Sequence, residues 1–414
     1  MRKTLLIWLL LCPGAMGQTW PPFPHPTDLT SRPFSIRNIW YIGGTGAWDT
    51  MTMDPAAGQL YIAHGPVVQV VDVQTGTVAG EIKGLAGARA IALDSKGQYG
   101  YISDGPGSRV VVFDRGSLET VADIPTKPDP RSLVYEPLSG LVFVVQAAPP
   151  APQPQEQRQT RRSPARAQAG SNSESYITII DPQLRSVVGW ILVPGVLGEA
   201  RTDGAGQVYI GYTSHDAVIR FNAQAVAAEL PHAPIAAGSD HPPQPGEGKP
   251  VLLDWTGAST ALAGGGFHQI RLGQGCSPRG LALDGRDARL FAACDNMTLE
   301  VINTATSQQV TAIPIGAGVD EIAYDPVHGY IFAADGAGDG TLTIIRRNST
   351  SDAYAIVQNL PTRQRAYVMA VDADSGAVYM VTDLEGVDLS KPGGIGTMRM
   401  TPVNGSFQVI EIGN

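Results

Sequence analysis

Short runs of alternating apolar and polar residues, each closed by Gly, Pro or an acidic residue, cover most of the chain. In "QLYIAHGPVVQVVDVQTGTVAGEI" (59–82), three such runs are separated only by Gly-Pro and Thr-Gly turns. Period two with β-branched and aromatic residues predicts β-strands, and the short turns predict an antiparallel meander. A three-stranded meander of this length is only marginally stable alone, so it needs copies. They follow: "QYGYISDGPGSRVVVFDRGSLETVADI" (98–124), "RLFAACDNMTLEVINTATSQQVTAI" (289–313) and "YIFAADGAGDGTLTIIRRN" (330–348) repeat the order. A further strand ending in an acidic residue and a turn precedes each unit. These markers are Asp54, Asp94, Glu136, Asp203, Asp284, Asp325 and Asp372, with gaps of 40, 42, 67, 81, 41 and 47 residues. A repeat of about 40 to 45 residues is the spacing of propeller blades. Seven markers predict an all-β, seven-bladed β-propeller of four-stranded antiparallel blades.

Composition fits this architecture. The 414-residue chain has 48 Gly, 32 Pro and only 16% charged residues, and the Ala-rich "AQAVAAEL" (223–230) is the only stretch with an apolar helical period. Four-stranded sheets arranged radially bury both faces against their neighbours.

The N-terminus carries an address. Arg2 and Lys3 precede an apolar run from Leu5 to Leu11, and Ala15 and Gly17 stand at the small-residue positions of a cleavage site before Gln18. Residues 1–17 are therefore expected to be a signal peptide, too short to span a membrane. An uncut anchor is the other reading, and bulky Leu11 argues against lipidation at Cys12. Export to the periplasm or the medium is the expectation. A Pro-rich segment, 18–34, precedes the propeller at 35–414. Cleavage leaves Cys276 and Cys294, equally far from Gly285 in a hairpin of blade five. They are placed to face each other as a disulfide in an oxidising compartment, or to remain buried thiols.

The phrases "GGTGAWDTMTMDPAAGQLYIAHG", "GLALDGRDARLFAACDN", "TSQQVTAIPIGAGVDEIAYDP", "DGTLTII" and "GSFQVIEIG" resemble the YVTN-repeat (YncE-like) β-propeller family over roughly residues 35–414. The resemblance implies a seven-bladed exported propeller without a settled activity. Some relatives bind DNA or partner quinoprotein systems, and more distant propellers include lactonases and cofactor-bearing dehydrogenases. It names a fold more surely than a function.

The repeat order predicts ring closure, with "SIRNIWYIGG" (35–44) completing blade seven beside "GSFQVIEIG", while "GTMRMTPV" (396–403) is either a fifth strand or a loop. Two insertions interrupt the pattern. Residues 147–174, rich in Pro, Gln and Arg, read as a disordered loop between the second and third strands of blade three. The second, 223–264, leaves an eighth blade conceivable. Seven is preferred, because "FHQIRLG" (267–273) supplies the missing last strand of blade four.

Counting five residues back from each marker gives the residues at one channel mouth: Asp49, Arg89, Arg131, Gly198, Arg279, Asp320 and Tyr367. Arginine suits planar, bidentate recognition of carboxylate or phosphate, so three of them predict a site for a small anion. The other reading is a structural network pairing Arg89 or Arg279 with Asp49 or Asp320. Trp48 is placed either to stack on a ligand or to pack between blades. His64, Asp104, Gln146, Tyr212, Cys294, Asp335 and Thr382 share the end of the second strand, where a polar side chain would bond the turn that follows. The basic departures at blades two, three and five weaken any metal site carried over from relatives. "DGAGDG" (335–340) lacks the later ligands of a calcium loop, and no haem, P-loop, G-x-S-x-G or H-E-x-x-H motif is present. No catalytic residue, cofactor or metal is expected.

A net charge of −9, or −11 without Arg2 and Lys3, offers no broad footprint for nucleic acid. DNA binding would have to use the Arg mouth or the basic insertion. The expectation is a monomeric exported binding protein or scaffold for a small anionic ligand or a partner protein. The alternative is a channel-site enzyme, such as a lactonase, or an accessory to a quinoprotein dehydrogenase.

Overall fold

In the computed structural model, residues 33–44, 46–147, 174–230, 251–254, 267–336, 340–348, 350–387 and 400–414 are described. The leader, Cys12 and the bulk of the first insertion lie outside these residues. Seven four-stranded antiparallel cores stand in a ring, and blade three carries one added strand. The first strands of blades one to seven are Trp48–Asp54, Ala88–Leu93, Pro130–Glu136, Leu197–Thr202, Pro278–Asp284, Glu321–Asp325 and Val368–Asp372. Each touches the next all the way round, and that of blade one touches that of blade seven, so they surround a central channel. The protein is a seven-bladed β-propeller. Among the described residues, no helix is long and apolar enough to cross a membrane.

The repeat carries its packing with it. The second strand of every blade carries an aromatic residue at its third position: Tyr61, Tyr101, Phe143, Tyr209, Phe291, Phe332 and Tyr379. All seven are buried. They interleave with Val and Ile of neighbouring sheets, as in the cluster that joins Phe291, Val301, Ile331 and Ile345 across blades five and six. The marker acids end the first strands and hold the following turn; Asp325 Oδ1 accepts the backbone N–H groups of Val327 and His328 at 2.8 and 3.0 Å.

Ring closure follows the expected route. Ser35–Tyr41 pairs antiparallel with Gln408–Gly413, which pairs with Ala377–Thr382 of blade seven. Just ahead of it, Phe34 inserts edge-on against Tyr330 and Phe332 of blade six. His268–Arg271 completes blade four as expected. The stretch 396–403 is neither a fifth blade strand nor a plain loop where it is described, since Met400–Pro402 forms a two-stranded hairpin with Glu385–Val387. The second insertion holds one foreseen element and one unforeseen. Its Ala-rich start is a helix, Ala223–Glu229, capped by the Asn222 side chain. Val251–Asp254 then adds a parallel fifth strand to blade three.

Candidate functional site

One mouth of the channel is built by irregularities in the first strands. In blades one to five the pairing register shifts between Trp48 and Met51, Ala88 and Ile91, Pro130 and Ser132, Leu197 and Ala200, and Pro278 and Gly280. Each shift brackets a residue of the mouth: Asp49, Arg89, Arg131, Gly198 or Arg279. A bulge re-aims side chains that would otherwise alternate between the two blade faces. Asp320 and Tyr367 stand immediately before the first strands of blades six and seven.

The ring is an ionic unit with paired arginines. Arg89 donates to Asp49 at 3.2 Å and lies 4.0 Å from Asp129. Arg131 donates to Asp129 at 2.8 Å, and Arg279 stands 3.9 Å from Asp295, beyond hydrogen-bond reach. Of the two predicted pairings, Arg89 with Asp49 forms; Arg279 meets Asp295, while it also acts on Asp320 through space. Burial pushes the Asp49 carboxyl up to about 6 against the opposing pull of Arg89. Burial likewise raises Asp320, with Arg279 opposing. The three arginine side chains keep 40, 59 and 48% of their surface exposed, in the order Arg89, Arg131, Arg279.

Trp48 does not offer its face to a ligand. It is buried, stacks on Tyr367 with centroids 6.0 Å apart, touches Phe407 and carries the Arg365 guanidinium 4.8 Å over its ring. Of the two predicted roles for Trp48, packing between blades is the one observed.

Four residues of this channel escape the five-back count. Asp129, at φ 53°, joins Arg131 to Arg89. One residue on from Gly198 and Asp320 stand two carboxylates that Arg201 bridges: it donates to Glu321 at 3.2 Å and pairs with Glu199. Each carboxylate is also held by the next blade, Glu199 by the Leu281 N–H at 2.7 Å and Glu321 by the Met369 N–H at 2.9 Å. Ser132 makes the same contact with the Ala200 N–H at 3.0 Å, so this position serves as an inter-blade tie. Burial raises both glutamates, and their mutual repulsion lifts Glu321 further. The signal was present in "GEARTD" and "VDEIAYD", where charged residues occupy inner-strand positions that blades one to three fill with Thr50, Ala90 and Ser132.

In most blades the shared position at the end of the second strand bonds in the opposite direction from that predicted. In blades two, three, four and seven its partner is the loop leading into the blade, while His64 and Asp335 bond Gln69 and Thr343 of the third strand. Asp104 accepts the Gly87 N–H at 2.8 Å, Thr382 donates to the Gln364 carbonyl at 2.9 Å, and Gln146 and Tyr212 donate to the carbonyls of Lys127 and Pro194. His64 is buried, bonded to Gln69 at 2.8 Å, and lies so close to Gly44 that a Cβ there would come within 2.6 Å of the ring. The imidazole is thus buried in a packed, hydrogen-bonded setting. In blade five the tie is covalent, because Cys294 is bonded to Cys276 with Cα atoms 4.8 Å apart. The predicted face-to-face register is corrected: Cys294 pairs with Pro278, and Cys276 lies in the loop ahead of that strand.

The fold has relatives among solved structures. A chain from a mitotic checkpoint complex is similar at 13% identity and TM-score 0.58, covering 98% of this chain and 100% of that one. U3-55K is similar at 8% identity and TM-score 0.58, covering 91% and 98%. At these identities the likeness concerns the fold alone. No family model and no curated protein matches the sequence.

Proposed function

We propose that this chain is an exported, non-catalytic binding propeller of the YVTN-repeat type whose working surface is the arginine-bearing channel mouth. The observation that carries the reading is the convergence of three half-exposed guanidinium groups, placed there by strand bulges. Their ion pairs are loose at Arg279, and at Arg89 close to Asp49 but long to Asp129. A ligand with two or more carboxylate or phosphate groups, free or displayed on a partner protein, would replace water around Arg131 and Arg279 without dismantling the ring. Guanidinium forks favour such groups in a planar, bidentate geometry. Acidic neighbours set a threshold: a ligand bearing a single charge gains little against Asp49, Asp129 and Asp320.

A thermal-shift panel of di- and tricarboxylates, phosphates and sulfate tests this on the mature protein. The expected result is saturable stabilisation by at least one multivalent anion, at least tenfold weaker in Arg131→Ala and Arg279→Ala. Stabilisation that survives both substitutions would place the ligand elsewhere.

A further inference from the structure

We propose that a cavity between blades four and five is a second ligand site, separate from the channel mouth, for a small organic carboxylate bearing hydroxyl or amino groups. The cavity has a volume of about 380 Å³, and its walls include Asp203, Tyr209, Arg220, Asn222, His268 and Thr304. Asp203 and Asp284, which line it, lie at the marker ends of the first strands, so it opens at the face opposite the arginine ring. Its size suits a small molecule.

The cavity lies at an interface that departs from one rule kept in five blades and from a second kept at two interfaces, those of Arg115 and Arg347. In five blades the aromatic residue of the second strand is paired, on the third strand, with Val70, Val112, Ile179, Val301 or Ile344. In blade four Tyr209 is paired with Arg220. The second rule concerns the residue whose N–H bonds the carbonyl just ahead of the second strand: Val73, Arg115, Ala223, Thr304 and Arg347 in blades one, two, four, five and six. Arg115 reaches back to marker Asp54 of blade one, and Arg347 reaches back to marker Asp284 of blade five at 2.5 Å. Blade five offers only Thr304 to marker Asp203, and the space of an arginine side chain is left open.

Arg220 does not close that space. Its Nη1 donates to the Thr304 carbonyl at 2.5 Å, while its Nε is buried without a hydrogen-bond partner. No carboxylate pairs with it among the described residues. Among the other charges in the wall, Arg289 is bonded to Asp352 at 2.7 Å and Asp284 to Arg347 and Tyr324, while Asp203 Oδ1 accepts the Ala205 and Gln207 N–H groups. A half-buried guanidinium that lines a cavity and has no carboxylate partner is a receptor for a carboxylate. Asp203, Asn222 and Gln207 on the same wall supply acceptors and donors for hydroxyl or ammonium groups.

The test uses lactate and L-serine as probes, with inorganic phosphate as the competing anion class, in ligand-observed NMR titrations of the whole mature chain. Arg220→Val gives blade four the aliphatic residue found in those five blades, and Thr304→Arg fills the cavity as Arg115 and Arg347 do elsewhere. The expected result is saturable binding of at least one carboxylate probe, weakened at least tenfold by either substitution and unchanged by Arg131→Ala with Arg279→Ala. Arg220→Val should melt no lower than the parent, which separates lost binding from lost folding. Equal binding by both cavity variants, no saturable binding of either carboxylate, or binding of phosphate alone would overturn the proposal. Loss of binding in the mouth variant would assign the probe to the mouth instead.

Discussion

Glu321 is the residue whose position says most about the channel. Its carboxylate holds the Met369 N–H of blade seven and the Arg201 guanidinium of blade four, yet burial and Glu199 resist its ionisation. A carboxyl raised in the folded state binds its proton more tightly there than in the unfolded chain, so stability falls as pH rises above the ordinary carboxylate value. Glu321→Gln keeps the acceptor for Met369 and removes the charge. It should therefore raise the melting temperature above that of the parent at pH 9, with the difference vanishing near pH 4; thermal denaturation across that range checks it, and a constant offset would contradict it. Arg347 makes the converse case. With 2% of its side chain exposed and Asp284, Asp287 and Asp352 around it, Arg347→Met leaves the buried Asp284 carboxylate without its buried counter-ion. Denaturant titration should show a loss of about 3–5 kcal/mol. The arginines of the mouth were legible in the sequence because each lies a fixed count from a marker. The Glu199–Arg201–Glu321 cluster was not, because its members sit at neighbouring positions that in other blades carry small side chains.

At the scale of the element, strands were legible wherever period two met a Gly or Asp turn, and this held for all seven blades. Legibility failed where a bulge intervened. Equal counting from Gly285 puts Cys276 opposite Cys294, but the register shift between Pro278 and Gly280 moves Pro278 into that place. The bridge survives because the position at the end of the second strand reaches into the preceding loop, as in blades two, three, four and seven. Val251–Asp254 was missed for a different reason: four residues in parallel pairing carry no alternation to read. The covalent tie of blade five closes a sequence separation of 18 residues. Replacing both cysteines by Ser should cost about 3 kcal/mol, with the contacts at this position in the other blades intact. Urea titrations of the two proteins measure the difference, and an unchanged midpoint would show the bridge to be dispensable.

For the whole molecule, closing the ring with Ser35–Tyr41 in blade seven joins the two ends of the described propeller in one sheet. The seven first strands are thereby locked around the channel, and the mouth becomes a fixed array of charge rather than a set of mobile loops. That rigidity is what a preorganised binding surface needs. The fold could be read from marker spacing because every blade solves the same packing problem. The ligand could not, since ion pairing at the mouth depends on bulges and on residues such as Asp129 that the repeat does not announce. The central claim is that the mouth binds a multivalent anion and returns it unchanged. Calorimetric titration of the most stabilising compound into the parent protein and into the Arg131→Ala, Arg279→Ala variant tests it most directly, with NMR of the recovered compound. The account predicts saturable one-to-one binding in the parent, its loss in the variant and an unaltered compound; equal binding by both proteins, or a chemically converted compound, would contradict it.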